Sequence, residues 1–154
     1  MNLKRKKNEV IFSIKLENEK LVKSWYSLLI TYKFEVDAFC YMENGRYVFH
    51  FSEIGDLSKL NAIDCLKDER SQLAFLEDKK WLDWADVCLL ILPAGKSSHL
   101  EAGYAKGCKK KLIIWQEEFP KGEFDVMYGF ADLITNSMNE VLTYLKMEEE
   151  KTEE

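Results

Sequence analysis

Residues 81–115, WLDWADVCLLILPAGKSSHLEAGYAKGCKKKLIIW, decide the fold. They contain two apolar runs, 87–92 (VCLLIL) and 112–115 (LIIW). Each run is uncharged and too short for a helix, so each reads as a strand buried on both faces. Between them come a Pro93-Ala94-Gly95 turn, then Ser97 and Ser98, then a helix-like segment over 99–108. Strand, loop, helix, strand is the βαβ unit of a parallel sheet. In such sheets ligands bind outside the carboxyl ends of the strands. That place is here 93–101, which offers two hydroxyls and a carboxylate.

The flanks extend the same pattern. Residues 9–14 (EVIFSI) suit a first buried strand. In 17–32, Leu21, Trp25, Leu28, Leu29 and Tyr32 recur in steps of three and four, the stripe of an amphipathic helix. Residues 34–39 alternate as a second strand, and Glu43-Asn44-Gly45-Arg46 is a turn signal. The run 47–51 (YVFHF) reads as either a short strand or an ordered aromatic loop. Residues 58–84 read as mostly helical, with Leu73, Leu76, Trp81 and Trp84 near one face. A short strand is expected at 131–134, and a last helix capped by Asn136 or Ser137 carries Val141, Leu142 and Leu145. The sum is one domain over 1–154: a doubly wound, mostly parallel sheet of about five strands, helices on both faces, flavodoxin- or Rossmann-like. Residues 1–8 and 148–154 read as flexible tails.

Composition narrows the function classes. The chain has 154 residues, 47% hydrophobic and 32% charged, enough for one cored domain. A net charge of −5 argues against binding a nucleic acid polymer, with Lys4 to Lys7 read as a solvated tail. No apolar run is long enough to span a bilayer, and no signal peptide is visible. Cys40, Cys65, Cys88 and Cys108 lack metal-like spacing and read as reduced thiols of a cytoplasmic protein. His50 and His99 are too few and too isolated for a metal site. Pro93-Ala94-Gly95-Lys96 lacks P-loop spacing, and no cofactor is expected.

Glu101 leads the candidates for chemistry. A glutamate near a helix start, at the carboxyl end of a buried strand, can act as nucleophile or base. Ser98-His99-Leu100-Glu101 also fits the S-x-x-E capping box, in which the glutamate serves only the helix's own amide. Both readings stand at this point. Ser97 and Ser98, with free helix-start amides, could hold an anion or sugar hydroxyls, or simply cap. Gly103 and Gly107 would let the helix approach the sheet. Asp86 would turn the chain into the strand, while Asp78 and Asp83 read by position as surface carboxylates. His99 could pack or cap at the helix start. Tyr47, Phe49 and Phe51 could stack on a ring or form core.

WADVCLLILPAGKSSHLEAGYAKGCKKKLIIW resembles the nucleoside 2-deoxyribosyltransferase superfamily, especially its small phage and bacterial members. The shared pattern is W-A-D, an apolar strand, P-x-G-x-S-x-H-x-E-x-G-x-A-x-G, a lysine and another strand. Weaker similarity extends through 49–54, Met127-Tyr128 and Ala131-Asp132. The resemblance implies a doubly wound parallel sheet and cleavage or exchange of the N-glycosidic bond of nucleosides or nucleotides. It assigns the nucleophile to Glu101 and the acid-base carboxylate, eight residues before Asp86, to Asp78. It gives Ser97, Ser98, Gly95, His99, Ser13 and Phe51 to substrate binding, and it implies a homodimer or larger homo-oligomer. One segment departs from the pattern. The family's first loop is similar to A-S-S-W-R-N, whereas here Ser13 to Asn18 reads SIKLEN. Glu17 stands at the arginine's place, and a carboxylate there repels phosphate. A catalytically degenerate nucleotide-binding module is therefore the alternative.

Overall fold

The computed structural model describes residues 9–13 and 19 as backbone and residues 20–38, 47 and 49–151 in full. Among the described residues, five strands form one sheet: β1 (Glu9–Ser13), β2 (Glu35–Ala38), β3 (Val87–Ile91), β4 (Lys111–Trp115) and β5 (Leu133–Thr135). Every pairing is parallel, and the order is β2-β1-β3-β4-β5. This flavodoxin-type order reverses between β1 and β3, where open α/β sheets leave a crevice at the strand carboxyl ends.

Five α-helices of the described residues accompany the sheet: α1 (Glu19–Thr31), α2 (Ala62–Lys67), α3 (Glu69–Trp84), α4 (Lys96–Gly107) and α5 (Met138–Lys151). The apolar runs are explained by helices on both faces. Val87, Leu89 and Ile91 of β3, with Ile113 and Trp115 of β4, pack against Val22, Trp25 and Leu29 of α1 and Val141, Leu142 and Leu145 of α5. Trp25 meets Trp115 edge-on, ring centroids 5.3 Å apart. The alternate residues Cys88, Leu90, Leu112 and Ile114 face Leu82 of α3 and Ala102 and Ala105 of α4. The doubly wound parallel sheet read from the sequence is the observed architecture. The expected strand at 131–134 lies slightly later, as β5.

The departures have local physical causes. The region 58–84 breaks at Asp68, which ends α2 and starts α3, its carboxylate accepting the Arg70 amide. Of the run 47–51, the described residues form an aromatic loop leading into a 3-10 turn, Phe51–Glu53, and not a strand. Tyr47, Phe49 and Phe51 pack in series, 6.2 and 5.6 Å apart. Ser137 caps α5 by accepting the Glu140 amide at 3.3 Å. α5 then continues to Lys151, into the segment expected to be a tail. Glu148 holds that turn by pairing with Lys151 at 2.6 Å and Lys111 at 3.5 Å. Gly103 and Gly107 do not bring α4 onto the sheet. They face outward, and an added Cβ at either would meet nothing within 4 Å. The tail 1–8, the first loop 14–18 and the turn signal 43–46 lie outside the described residues. Among the described residues, no helix is long and apolar enough to cross a membrane.

Candidate active site

β3 delivers the chain to a turn at Pro93-Ala94-Gly95, and α4 starts at Lys96. Gly95 is the N-cap, extended at φ −81°, ψ −178°, with no side-chain cap bond. Its carbonyl accepts the His99 amide at 3.3 Å and contacts His99 Nδ1 at 2.8 Å. The helix thus begins three residues before the expected start at 99. With Lys96 as first residue, Ser98 is third and Glu101 sixth. A capping box needs its glutamate third. Glu101 is therefore not the capping glutamate that one sequence reading made it.

Ser97 and Glu101 are four apart and share a helix face. That face lines a cavity of about 810 Å³. Across from it α3 presents Ser71, Ala74, Phe75, Asp78, Lys79 and Leu82, the spacing of one helical face. α2 adds Ala62, Cys65 and Leu66, and the aromatic loop adds Phe49, Phe51 and Ile54. A largely apolar cavity with a few converging polar groups is the usual form of a small-molecule site, typically ~300–1,000 Å³.

Local bonds set these walls. Arg70 reaches from α3 to the carbonyl of Glu53 at 2.8 Å while pairing with Asp68 at 2.9 Å. The 3-10 turn is closed by His50, whose ring accepts the Ser52 amide, and by Glu53, which accepts the His50 amide at 2.9 Å. Phe51 is thereby kept at the cavity wall. On the α4 side, the Asp132 carboxylate takes the Lys106 ammonium at 2.7 Å and the Leu112 amide at 2.8 Å. Burial raises the Asp132 pKa, but the Lys106 ammonium and the Leu112 amide outweigh it and hold the carboxyl below its ordinary value. Beneath the site, burial pushes the Cys88 thiol up to about 12, with the Glu101 charge adding to the rise. Cys88 is thus an unreactive buried thiol.

At the cavity edge, the Tyr104 hydroxyl donates to Asp83 at 2.5 Å, and Lys79 pairs with the other Asp83 oxygen, also at 2.5 Å. Hydrogen bonds from Lys79 and Tyr104 hold the Asp83 carboxyl below its ordinary pKa. Lys79 also lies 5.4 Å from the centre of the Tyr104 ring.

The sequence-derived candidates divide. Glu101, Asp78, Ser97 and Phe51 line the cavity together. Ser98 is buried at 4% exposure and is outside the lining, as is Gly95 at the helix cap. His99 points to the other side of α4, stacked on Tyr128 with centroids 6.0 Å apart, its Nε2 3.3 Å from the hydroxyl. The Ser13 side chain lies outside the described residues. The lining also holds Lys79, Tyr104, Cys65 and Ser71, which sequence reasoning did not single out. Tyr104, three residues after Glu101, was within reach of a helical-face argument; the others depend on how α2 and α3 pack. Among the described residues, no group of three or more His, Cys, Asp or Glu could hold a metal ion.

No protein-family model and no curated protein matches the sequence. Solved structures do. The 2-deoxyribosyltransferase of the psychrotolerant bacterium Bacillus psychrosaccharolyticus superposes with a TM-score of 0.62 at 15% identity, over 89% of this chain and 95% of that one. The chain has the 2-deoxyribosyltransferase fold. The CMP N-glycosidase of Clostridium botulinum aligns at 18% identity over 91% of this chain and 98% of that one, with a TM-score of 0.49. A fold shared at this identity does not carry an activity.

Proposed function

We propose that this protein belongs to the nucleoside 2-deoxyribosyltransferase superfamily and cleaves or exchanges the N-glycosidic bond of a nucleoside or nucleotide. One observation carries the reading. Glu101 of α4 and Asp78 of α3 line the same cavity, and Glu101 lies beyond the capping turn of its helix.

In this mechanism a Glu101 carboxylate oxygen attacks the anomeric carbon. The carbon–nitrogen bond breaks, and its electron pair leaves with the base. Asp78, entering as the acid, protonates that base, because an anionic purine or pyrimidine leaves poorly. The product is a glycosyl ester of Glu101, which splits one difficult displacement into two easier ones. Asp78, now a carboxylate, takes a proton from water or from an incoming base. That nucleophile attacks the anomeric carbon and frees Glu101. Ser97 holds sugar hydroxyls, and Phe51 and Phe49 stack on the base. No cofactor or metal takes part in this mechanism.

The protein works in the cytoplasm as a homodimer or larger homo-oligomer. Phe75, Leu66 and Leu100, at 62%, 66% and 75% exposure around the cavity, are the surface a second copy covers. Light scattering that finds a monomer at working concentration refutes the oligomer.

The function is tested by incubating the protein with a panel of deoxynucleosides and deoxynucleotides and following free base. Release that disappears in Glu101→Ala is the expected result. Tight binding without release selects the second reading, a sensor of a nucleotide or nucleotide-derived signal, which the departure of Ser13 to Asn18 from the family pattern favours over turnover.

A further inference from the structure

We propose that Asp83, Tyr104 and Lys79 form a positioning clamp that sets α3 against α4 and so fixes Asp78 relative to Glu101. The proposal rests on the glycosidic reading and adds residues to it. Asp78 and Glu101 stand on different helices, so their separation depends on how those helices are held. The reaction needs both carboxylates at one anomeric centre, and ~1 Å of misplacement can cost about 100-fold in rate.

The clamp joins the two helices beside that pair. Tyr104 is three residues beyond Glu101 on α4, on the same face, and lines the same cavity. Its hydroxyl donates to Asp83 of α3 at 2.5 Å. Lys79, the neighbour of Asp78, occupies the second Asp83 oxygen at 2.5 Å and leans over the Tyr104 ring, 5.4 Å from its centre. Lys110, just past α4, donates to the carbonyls of Asp83 and Ala85, anchoring the end of α3. Asp83 thus has both carboxylate oxygens engaged, one by each helix. A surface ion pair alone contributes little stability. What the three-part arrangement adds is direction: it restricts sliding and splaying of α3 against α4 at the level of the cavity.

Asp78 is the acid for the departing base, so a loosened clamp harms substrates in proportion to their need for a proton. A purine or pyrimidine needs one. The 4-nitrophenyl 2-deoxyriboside does not, since nitrophenolate departs as an anion. A merely structural defect lowers both reactions by the same factor.

The experiment compares wild type, Tyr104→Phe, Asp83→Asn and the double variant on a deoxynucleoside and on the nitrophenyl deoxyriboside. Thermal unfolding is recorded for each, and Glu101→Ala is the control. Tyr104→Phe keeps the ring and removes only the hydroxyl. The expected result is a kcat loss of ~10-fold on the nucleoside, under ~2-fold on the nitrophenyl substrate, and little change in KM. The double variant is expected to be no worse than Asp83→Asn, because the two groups act as one unit. Equal losses on both substrates, or unchanged kcat on the nucleoside, overturn the clamp while leaving the glycosidic reading intact. Wild type that releases no base from any substrate overturns the glycosidic reading, and the clamp with it.

Discussion

Replacing Glu101 by alanine separates the two roles a glutamate can have near a helix start. As the third-residue partner of a capping box, it would hold a backbone amide. Its loss would then cost about 1 kcal/mol, with a range of roughly 0.5–2 kcal/mol for capping groups. For a chain of this size that is a fall in Tm of about 2–4 °C per kcal/mol. The structure gives a different expectation. α4 is capped at Gly95 through its backbone, and Glu101 is the sixth residue of the helix. Favourable interaction with the helix dipole fades beyond the first turn, so the dipole itself contributes at most ~0.3 kcal/mol at that position. Against this, alanine has the better helix propensity, and a carboxylate is removed from an apolar cavity. The side chain lines open space, so no new void forms inside packed core. The capping contribution of about 1 kcal/mol is therefore absent, and the change in unfolding free energy is expected to stay within about 1 kcal/mol in either direction. The assay is urea and thermal unfolding of wild type and Glu101→Ala side by side, with activity measured on the same samples. A Tm within about 3 °C of wild type, with activity gone, is the expected outcome. A fall of 3 °C or more would refute the argument, because it would mean that Glu101 is bound into the framework of its own helix.

Other perturbations test the frame around the site. Asp132→Ala removes the acceptor for the buried Leu112 amide and the partner of Lys106, so a loss of roughly 2–3 kcal/mol is expected in urea unfolding. The Asp132 pKa is depressed on folding, so its contribution is fully present above the ordinary carboxylate pKa and fades as pH falls through the folded value. The stability gap between wild type and Asp132→Asn should accordingly close in acid; a gap that widens below pH 4 contradicts the pairing. Leu89→Ala, at a fully buried position between α1 and α5, should cost about 2–5 kcal/mol, and a loss under 1 kcal/mol would place this residue outside the core. Iodoacetamide at pH 8 should label exposed Cys108 and half-buried Cys65 in the native protein and spare Cys88, which mass spectrometry of the peptides will show.

The sequence made the sheet legible where burial left an unmistakable mark. β3 and β4 are apolar on both sides because helices cover both sides, and no other short element has that composition. α1 was legible because Leu21, Trp25, Leu28 and Leu29 repeat at helical spacing and pack on the core, although the stripe as read left out buried Val22 and took in Tyr32, which is exposed. The start of α4 was misplaced because Ser98 resembles a cap, while the actual cap is the extended backbone of Gly95, which offers no side-chain signal. The end of α5 was placed too early because Glu148 is held by Lys111 of β4, a contact made only once the chain has folded. The site shows the same division. Glu101 and Ser97 stand in one motif on one helix face, and Asp78 was reached only through the family resemblance. Lys79 and Asp83 acquire their contacts with Tyr104 only where α3 meets α4. His99 was drawn into the site by its place in the motif, whereas its ring is turned to Tyr128.

The most direct test is to quench the protein during turnover of a deoxynucleoside and weigh its peptides. A mass increase of one deoxyribosyl unit on the peptide bearing residue 101, absent in the alanine variant, is the expected result. Base release that continues undiminished once the carboxyl group at 101 has been removed would contradict the account.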